Sequence, residues 1–205
     1  MGQPGRQRGK TVAKKGQRRE EILQALARML ESNTDGRVTT AALAEEVGVS
    51  EAALYRHFGS KGQMFEALIE FIEESLFSRV NRILESEEAP DDQCEQILRL
   101  WLGFAAKNPG LARLMLGESI QGESDALKAR VNQLMERLET QLKQLLKQAR
   151  LQSRLSAETD ALAGANLLVA VVHGRINQYS RSNFRNDPTD QWAAQWAIIQ
   201  AGLFQ

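Results

Sequence analysis

The side chains best suited to chemistry in this sequence crowd into TTAALAEEVGVSEAALYRHFGSK, Thr39–Lys61. They are donors. Tyr55 offers a phenolic hydroxyl, Arg56 a guanidinium fork, His57 a ring N–H and Lys61 an ammonium. Thr39, Thr40 and Ser50 offer hydroxyls at helix starts, where free backbone N–H groups also suit an anion. Each can donate to a phosphate oxygen, and Arg56 also matches the edge of guanine. Ala52 is small enough to let a helix approach a groove. Nothing here resembles a nucleophile with its base. The chain holds two histidines, His57 and His173, and one cysteine, Cys94. None has metal-ligand spacing, and neither a P-loop nor a G-x-G-x-x-G occurs. The chemistry this points to is non-covalent recognition of a polyanion. No enzymatic activity, metal or cofactor is expected.

Helices must position these donors. Apolar residues recur throughout at spacings of three and four, and no segment alternates convincingly. A first helix is expected over Gln17–Ser32, with Ile22, Leu23, Leu26, Ala27 and Leu30 on one face and Asn33–Gly36 as its break. Thr39 caps a short second helix, with Val38 and Leu43 placed as a hydrophobic staple. Ala42, Leu43 and Val47 are expected to face inward, and Gly48 to end the helix. Ser50 caps a third, Glu51–His57, buried through Ala53, Leu54 and Phe58. Two short helices crossing at a tight Gly turn are a helix-turn-helix. Ser60 and Gln63 have capping-box spacing and open a long fourth helix carrying Leu68, Ile72 and Leu76. Further helices are expected over Asp92–Lys107, Pro109–Leu116, Asp125–Gln152 and Ala157–Arg181, and a last one opening at Asp187-Pro188. The expected fold is all-α, with about nine helices. A basic disordered arm occupies 1–16, a three-helix DNA-binding domain 17–62, and a helical regulatory and dimerisation bundle 63–205.

The run Ala53-Leu54-Tyr55-Arg56-His57-Phe58-Gly59-Ser60-Lys61 resembles the A-L-Y-x-H-F-x-S-K hallmark of TetR-type DNA-binding proteins. The resemblance continues through Arg18–Ser32, Leu68–Leu76, Asn108–Gly117, Arg130–Lys147 and Arg181–Asp190, which are similar to the nucleoid occlusion branch of that family. It implies a homodimer on palindromic double-stranded DNA, with one or two dimers per site. Thr39, Thr40, Ser50, Ala52, Tyr55, Arg56, His57 and Lys61 would lie at the DNA. It also implies a second partner, the C-terminal tail of the tubulin-like GTPase FtsZ. The tail would lie between the fourth and fifth helices on Phe71, Arg79, Leu100, Gly103, Lys107 and Asn108. Lys107 stands where arginine is expected, which keeps the charge and loses the bidentate fork. Read without the resemblance, Phe71 is either an exposed anchor or extra core, and Arg79 either a contact or a solvated charge. Gly103 costs about 1 kcal/mol in a helix relative to Ala, offset by close helix packing or by room for a peptide. The alternative function is a repressor released by a small ligand. That needs polar groups trapped in the bundle, for which Asn166, His173 and Asn177 are the candidates.

The composition bounds the rest. Net charge over the 205 residues is zero. It is a cancellation, however, of +4 through Lys61 against −4 beyond it. Residues 1–19 hold seven basic side chains and no acidic one, which reads as a solubilising tail or an arm reaching phosphates. One cysteine excludes an intrachain disulfide. The longest apolar run, Leu167–Val172, is far short of the ~20 residues of a membrane span, and no signal-like apolar region follows the basic start. A cytoplasmic, nucleoid-associated protein is the expectation. His173 is expected inside the bundle and Trp192 and Trp196 in the core. Glu70, Glu73 and Glu74 are expected to form a solvated face. Ala161, Ala163, Gly164, Ala165, Ala170 and Gly174 are expected to let the C-terminal helices pair with a second copy, or to pack within the chain.

Overall fold

The computed structural model describes residues 6–32 and 38–205, with side chains from Gly16 onward. The expected break at Asn33–Gly36 lies outside the described residues, as do the first five residues of the basic arm. Among the described residues the chain forms nine α-helices: α1 Arg6–Ser32, α2 Thr40–Val47, α3 Glu51–His57, α4 Lys61–Leu84, α5 Pro90–Lys107, α6 Pro109–Met115, α7 Asp125–Leu151, α8 Ala161–Arg181 and α9 Trp192–Leu203. A short 3-10 turn, Glu118–Ile120, joins α6 to α7.

The first helix begins at Arg6, not Gln17. Adding residues to a formed helix avoids the nucleation cost, and Arg, Gln, Lys and Ala propagate it well. The arm from Arg6 is therefore helical where disorder was expected. The eighth helix starts at Ala161 because the Asp160 carboxylate caps it, accepting from the N–H groups of Leu162 and Ala163 at 2.9 Å each. The residues before it make an isolated bridge, Leu155 to Phe204. The ninth starts at Trp192, not at Asp187. Arg175 draws the carbonyls of Asp187, Pro188 and Asp190 to itself (3.3, 3.2 and 2.7 Å), and Gln191 adopts a left-handed φ of 57°. The backbone here makes i to i+3 bonds, Asp190 N–H to Asp187 O and Trp192 N–H to Thr189 O at 3.1 Å each, in place of an α-helical turn.

One core runs through the molecule. Ile22, Leu26 and Leu30 of α1 are buried with Leu43, Ala44, Leu54 and Phe58 and with Phe65 and Ile69 of α4. Ala42 is exposed, contrary to expectation, and Ala44 takes the inward position beside Leu43. In the body α7 packs along α8 and across α5. Trp192 and Trp196 are in the core, and the Trp192 indole N–H donates to Glu95 at 2.9 Å. The two parts are joined where α1 lies on α6. Gly110 meets the α1 backbone at Ala27 and Glu31 with no space for a side chain. Beside it buried Arg113 donates to the Leu30 carbonyl at 3.1 Å and stacks on Phe184.

Candidate nucleic-acid interface and adjoining groove

Local chemistry builds the helix-turn-helix. The Thr39 hydroxyl accepts from the Ala42 N–H at 3.2 Å and Ser50 from Ala53 at 3.2 Å. Gly48 takes the left-handed φ of 71° that lets the chain reverse. Ser60 caps α4 by accepting from Gln63 N–H at 3.1 Å, while the Gln63 side chain accepts from Gly59 N–H at 2.8 Å. The capping box closes on Gly59, one residue earlier than its usual target. Leu54 and Phe58 are buried beneath α3.

This scaffold leaves Thr39, Ser50, Ala52, Tyr55 and Arg56 exposed, with Thr40, His57 and Lys61 half-buried. Arg56 makes no hydrogen bond or ion pair among the described residues. Thr40 and Tyr55 are brought together: the tyrosine hydroxyl donates to Thr40 Oγ1 at 3.4 Å, and Thr40 donates to the Glu51 carboxylate at 2.6 Å. Lys61 is tied to the body by an ion pair with Glu123 at 2.8 Å. The buried Nδ1 of His57 has no hydrogen-bond partner among the described residues. Four residues that matter were missed by the sequence reading. Glu51 and Glu123 hold Thr40 and Lys61, and nothing in their spacing signals it. Arg18 and Arg19, counted within the basic arm, serve the fold instead. Arg18 donates to the Val47 carbonyl at 3.2 Å, and Arg19 to His57 O at 3.4 Å while stacking over Phe58 at 4.3 Å. Both reach C-terminal ends of short helices, where carbonyls lack partners and cations are favoured.

The second set converges as well. Phe71, Arg79, Leu100, Gly103, Lys107 and Asn108 all line one open cleft of about 580 Å³ along α4 and α5. Phe71 is 49% exposed, so it is not extra core. A Cβ at Gly103 would meet nothing within 4 Å, so this glycine leaves room in the cleft and does not serve helix packing. Asn108 caps α5, its side-chain amide donating to Phe104 O at 2.8 Å. The charged lining is basic: Arg79 and Lys107 have no ion pair among the described residues, while Arg99 pairs with Glu95. An apolar floor with unpaired cations fits an extended peptide bearing apolar and acidic residues.

Several other expectations are corrected. His173 and Asn166 are exposed and Asn177 is half-buried, so the three do not gather inside the bundle. They lie on or beside the face of α8 that turns away from α7. Glu73 is not merely solvated, because Arg130 and Arg137 reach it at 2.8 and 3.6 Å. Of the small residues on α8, Ala161, Gly164 and Ala165 are buried within the chain, with Gly164 against Leu146, whereas Ala163 and Ala170 face outward. Leu162, Leu167 and Ile198 are also exposed on α8 and α9. Cys94 is buried in α5, and burial, reinforced by Asp91, pushes its thiol far above the ordinary range. Such a thiol carries little thiolate at neutral pH and is a poor nucleophile. No described helix is long and apolar enough to cross a membrane.

Residues 22–68 match the model of bacterial regulatory proteins of the tetR family, and residues 91–204 match a tetracyclin repressor-like C-terminal domain. The chain is 53% identical over 189 residues to the nucleoid occlusion factor SlmA of Alteromonas mediterranea, covering 92% of this chain and 97% of that protein. It is 50% identical over 190 residues to the SlmA of a Marinomonas species, covering 93% and 96%. Among solved structures, the MbdR regulator of an Azoarcus species superposes with a TM-score of 0.77 at 16% identity, covering 90% of this chain and 97% of that one. The fatty acid degradation regulator FadR of Bacillus halodurans superposes at 0.76 with 13% identity, covering 90% and 95%. These structures share the fold.

Proposed function

The chain belongs to the nucleoid occlusion factor SlmA family of TetR-type regulators, and from that membership we propose that it works as a DNA-activated antagonist of division-ring assembly. A homodimer sets two helix-turn-helix units on a palindrome. Thr39, Thr40, Tyr55 and Lys61 engage phosphates, and Arg56, with the small Ala52 beside it, enters the major groove. The FtsZ tail occupies the α4–α5 cleft, its apolar residues on Phe71 and Leu100, its acidic ones on Arg79 and Lys107, and its backbone over Gly103. The basic N-terminal segment adds phosphate contacts. The exposed face of α8 and α9 pairs with a second copy, since Leu162, Leu167 and Ile198 standing in water among alanines form the kind of patch that an isologous interface covers.

One observation carries this reading: six residues named for the partner from sequence line a single cleft, on the same chain as an exposed set of phosphate donors. FtsZ sedimentation with GTP tests it. The protein is expected to reduce the pelleted fraction more strongly with a palindromic duplex present than with a scrambled duplex. Equal inhibition with either duplex would contradict the proposal.

A further inference from the structure

Arg113 is a buried guanidinium on α6 that reaches three other elements. It donates to the Leu30 carbonyl in the last turn of α1 at 3.1 Å and to Asn183 Oδ1 just past α8 at 3.4 Å. Its guanidinium carbon lies 4.8 Å from the centre of the Phe184 ring. Its Nε lies 4.0 Å from Glu118, whose carboxylate also accepts from the Ser180 hydroxyl of α8 at 2.7 Å. One side chain therefore connects α1, which carries the DNA-binding helices, to the C-terminal end of α8, whose outer face is the proposed homodimer surface.

The α8 end of this connection has an uncommon backbone. Asn183 and Phe184 both take left-handed φ values, 53° and 62°. Two such residues in succession, the second one bulky, persist only where their surroundings hold them. Here their N–H groups donate to the Ser180 and Tyr179 carbonyls at 2.9 Å each, and the Phe184 ring meets Tyr179 edge-on at 5.0 Å. The turn brings both the Asn183 oxygen and the Phe184 ring to Arg113.

We propose that Arg113, held by the Asn183–Phe184 turn, is a positioning residue for DNA specificity: it fixes the angle of the DNA-binding helices on the body, and with it the half-site spacing that the homodimer accepts. The proposal rests on the reading of the protein as a homodimer on a palindrome and adds the residue that sets its geometry. The lever is α1 itself. Arg19, which donates to the His57 carbonyl at the end of α3, precedes Leu30 by 11 residues, about 16 Å along the helix. A tilt of about 6° at the Leu30 end moves the α3 end by roughly 1.7 Å, so two subunits together cover about 3.4 Å, one base-pair step. An inserted base pair also turns one half-site by about 35° against the other. A dimer that follows a displaced half-site must turn α1 away from Arg113 in each subunit.

The test measures binding of the full-length protein by fluorescence anisotropy on three duplexes: a palindrome, and the same palindrome with one base pair inserted or removed at its centre. Two variants are compared with the wild type. Arg113→Lys keeps a cation beside Glu118 and loses the fork and the flat face. Asn183→Gly removes an exposed side chain that accepts from Arg113 and suits a left-handed φ. The wild type is expected to favour the parent palindrome by about tenfold or more, because the altered duplexes require a charge-assisted hydrogen bond to be given up in each subunit. That ratio is expected to fall to about threefold or less in Arg113→Lys and by about threefold in Asn183→Gly. Melting temperatures check both folds. An unchanged ratio in Arg113→Lys, or in Asn183→Gly where Arg113→Lys does not fold, would overturn the spacing role alone, even if affinity for all three duplexes dropped by one common factor. A wild type that binds the three duplexes equally would do the same. A wild type that binds the palindrome no tighter than a scrambled duplex, or sediments with it as a monomer, would overturn the dimer reading and the inference with it.

Discussion

Gly110→Ala probes the joint that holds the DNA-binding helices on the body. An added Cβ would sit 3.0 Å from both the Ala27 carbonyl carbon and the Glu31 nitrogen, and closer still to the Ala27 oxygen. All three are backbone atoms and cannot rotate away. Restoring ordinary contact requires α1 and α6 to part by on the order of 1 Å, given carbon contacts near 3.5–4.0 Å. Arg113 donates to Leu30 O at 3.1 Å across the same seam, and that separation stretches the bond past useful length. Overpacking costs about 1–3 kcal/mol, and weakening a buried charge-assisted hydrogen bond adds roughly 1.5–3 kcal/mol. A total of about 2.5–6 kcal/mol lowers the melting temperature by roughly 5–24 °C for a chain of this size. Gly103→Ala is the contrasting variant. It is also a helical glycine, but its Cβ would meet nothing within 4 Å. Replacing Gly by Ala in a helix then stabilises by up to ~1 kcal/mol, and the melting temperature rises by about 2–4 °C. Both are read by circular dichroism at one fixed protein concentration, because the proposed dimerisation would make the midpoint concentration-dependent. A Gly110→Ala melting point within about 2 °C of wild type, or a Gly103→Ala loss as large as that of Gly110→Ala, would refute the reasoning.

Three further outcomes are expected. Glu123→Gln frees Lys61 from its 2.8 Å ion pair and removes an anion from beside the proposed phosphate contact. Duplex affinity at low salt should rise about three- to tenfold, in line with an interaction of about 1 kcal/mol, and the gain should vanish in a Lys61→Gln background. The Asp160 carboxyl is held below its ordinary range, chiefly by the N–H of Ala163, against the opposing effect of burial and with further help from the Leu162 N–H and the charges of Arg150 and Lys143. Its stabilisation of α8 is therefore present at neutral pH and disappears as pH falls below the usual carboxylate range through the depressed value. Asp160→Asn should lower the melting temperature at neutral pH and match the wild type in acid, once the carboxyl is protonated. Deleting residues 1–16 should flatten the log–log dependence of duplex affinity on salt, by about 0.9 for each phosphate that the segment neutralises.

Much of this molecule could be read from its sequence because the determinants are local. Thr39, Gly48, Ser50, Ser60 and Gln63 are caps and turns whose partners lie within a few residues, so the helix-turn-helix follows from spacing alone. The cleft residues came from resemblance, and Phe71 and Gly103 each kept two readings until exposure and open space set aside the core and packing ones. What could not be read depends on which distant element arrives. Arg175 holds the turn before α9 by reaching three carbonyls 12 to 15 residues away. Gly164 and Ala163 are neighbours of similar size, yet one meets Leu146 and the other faces outward. His173 looked interior because its neighbours are apolar, but that apolar face of α8 has no partner within its own chain among the described residues. Arg18 and Arg19 look like phosphate contacts until the carbonyls of Val47 and His57 come within reach.

The proposed function requires one chain to carry two separate surfaces, a DNA face and a peptide cleft. Arg79→Asp separates them, because Arg79 lies in the cleft, is exposed and has no ion pair among the described residues to disturb. Duplex binding and FtsZ sedimentation are measured on the same preparation of the variant. The expected result is palindrome affinity close to that of wild type together with complete loss of DNA-dependent inhibition. A variant that still inhibits FtsZ, or one that loses DNA binding along with inhibition, would contradict the two-surface reading.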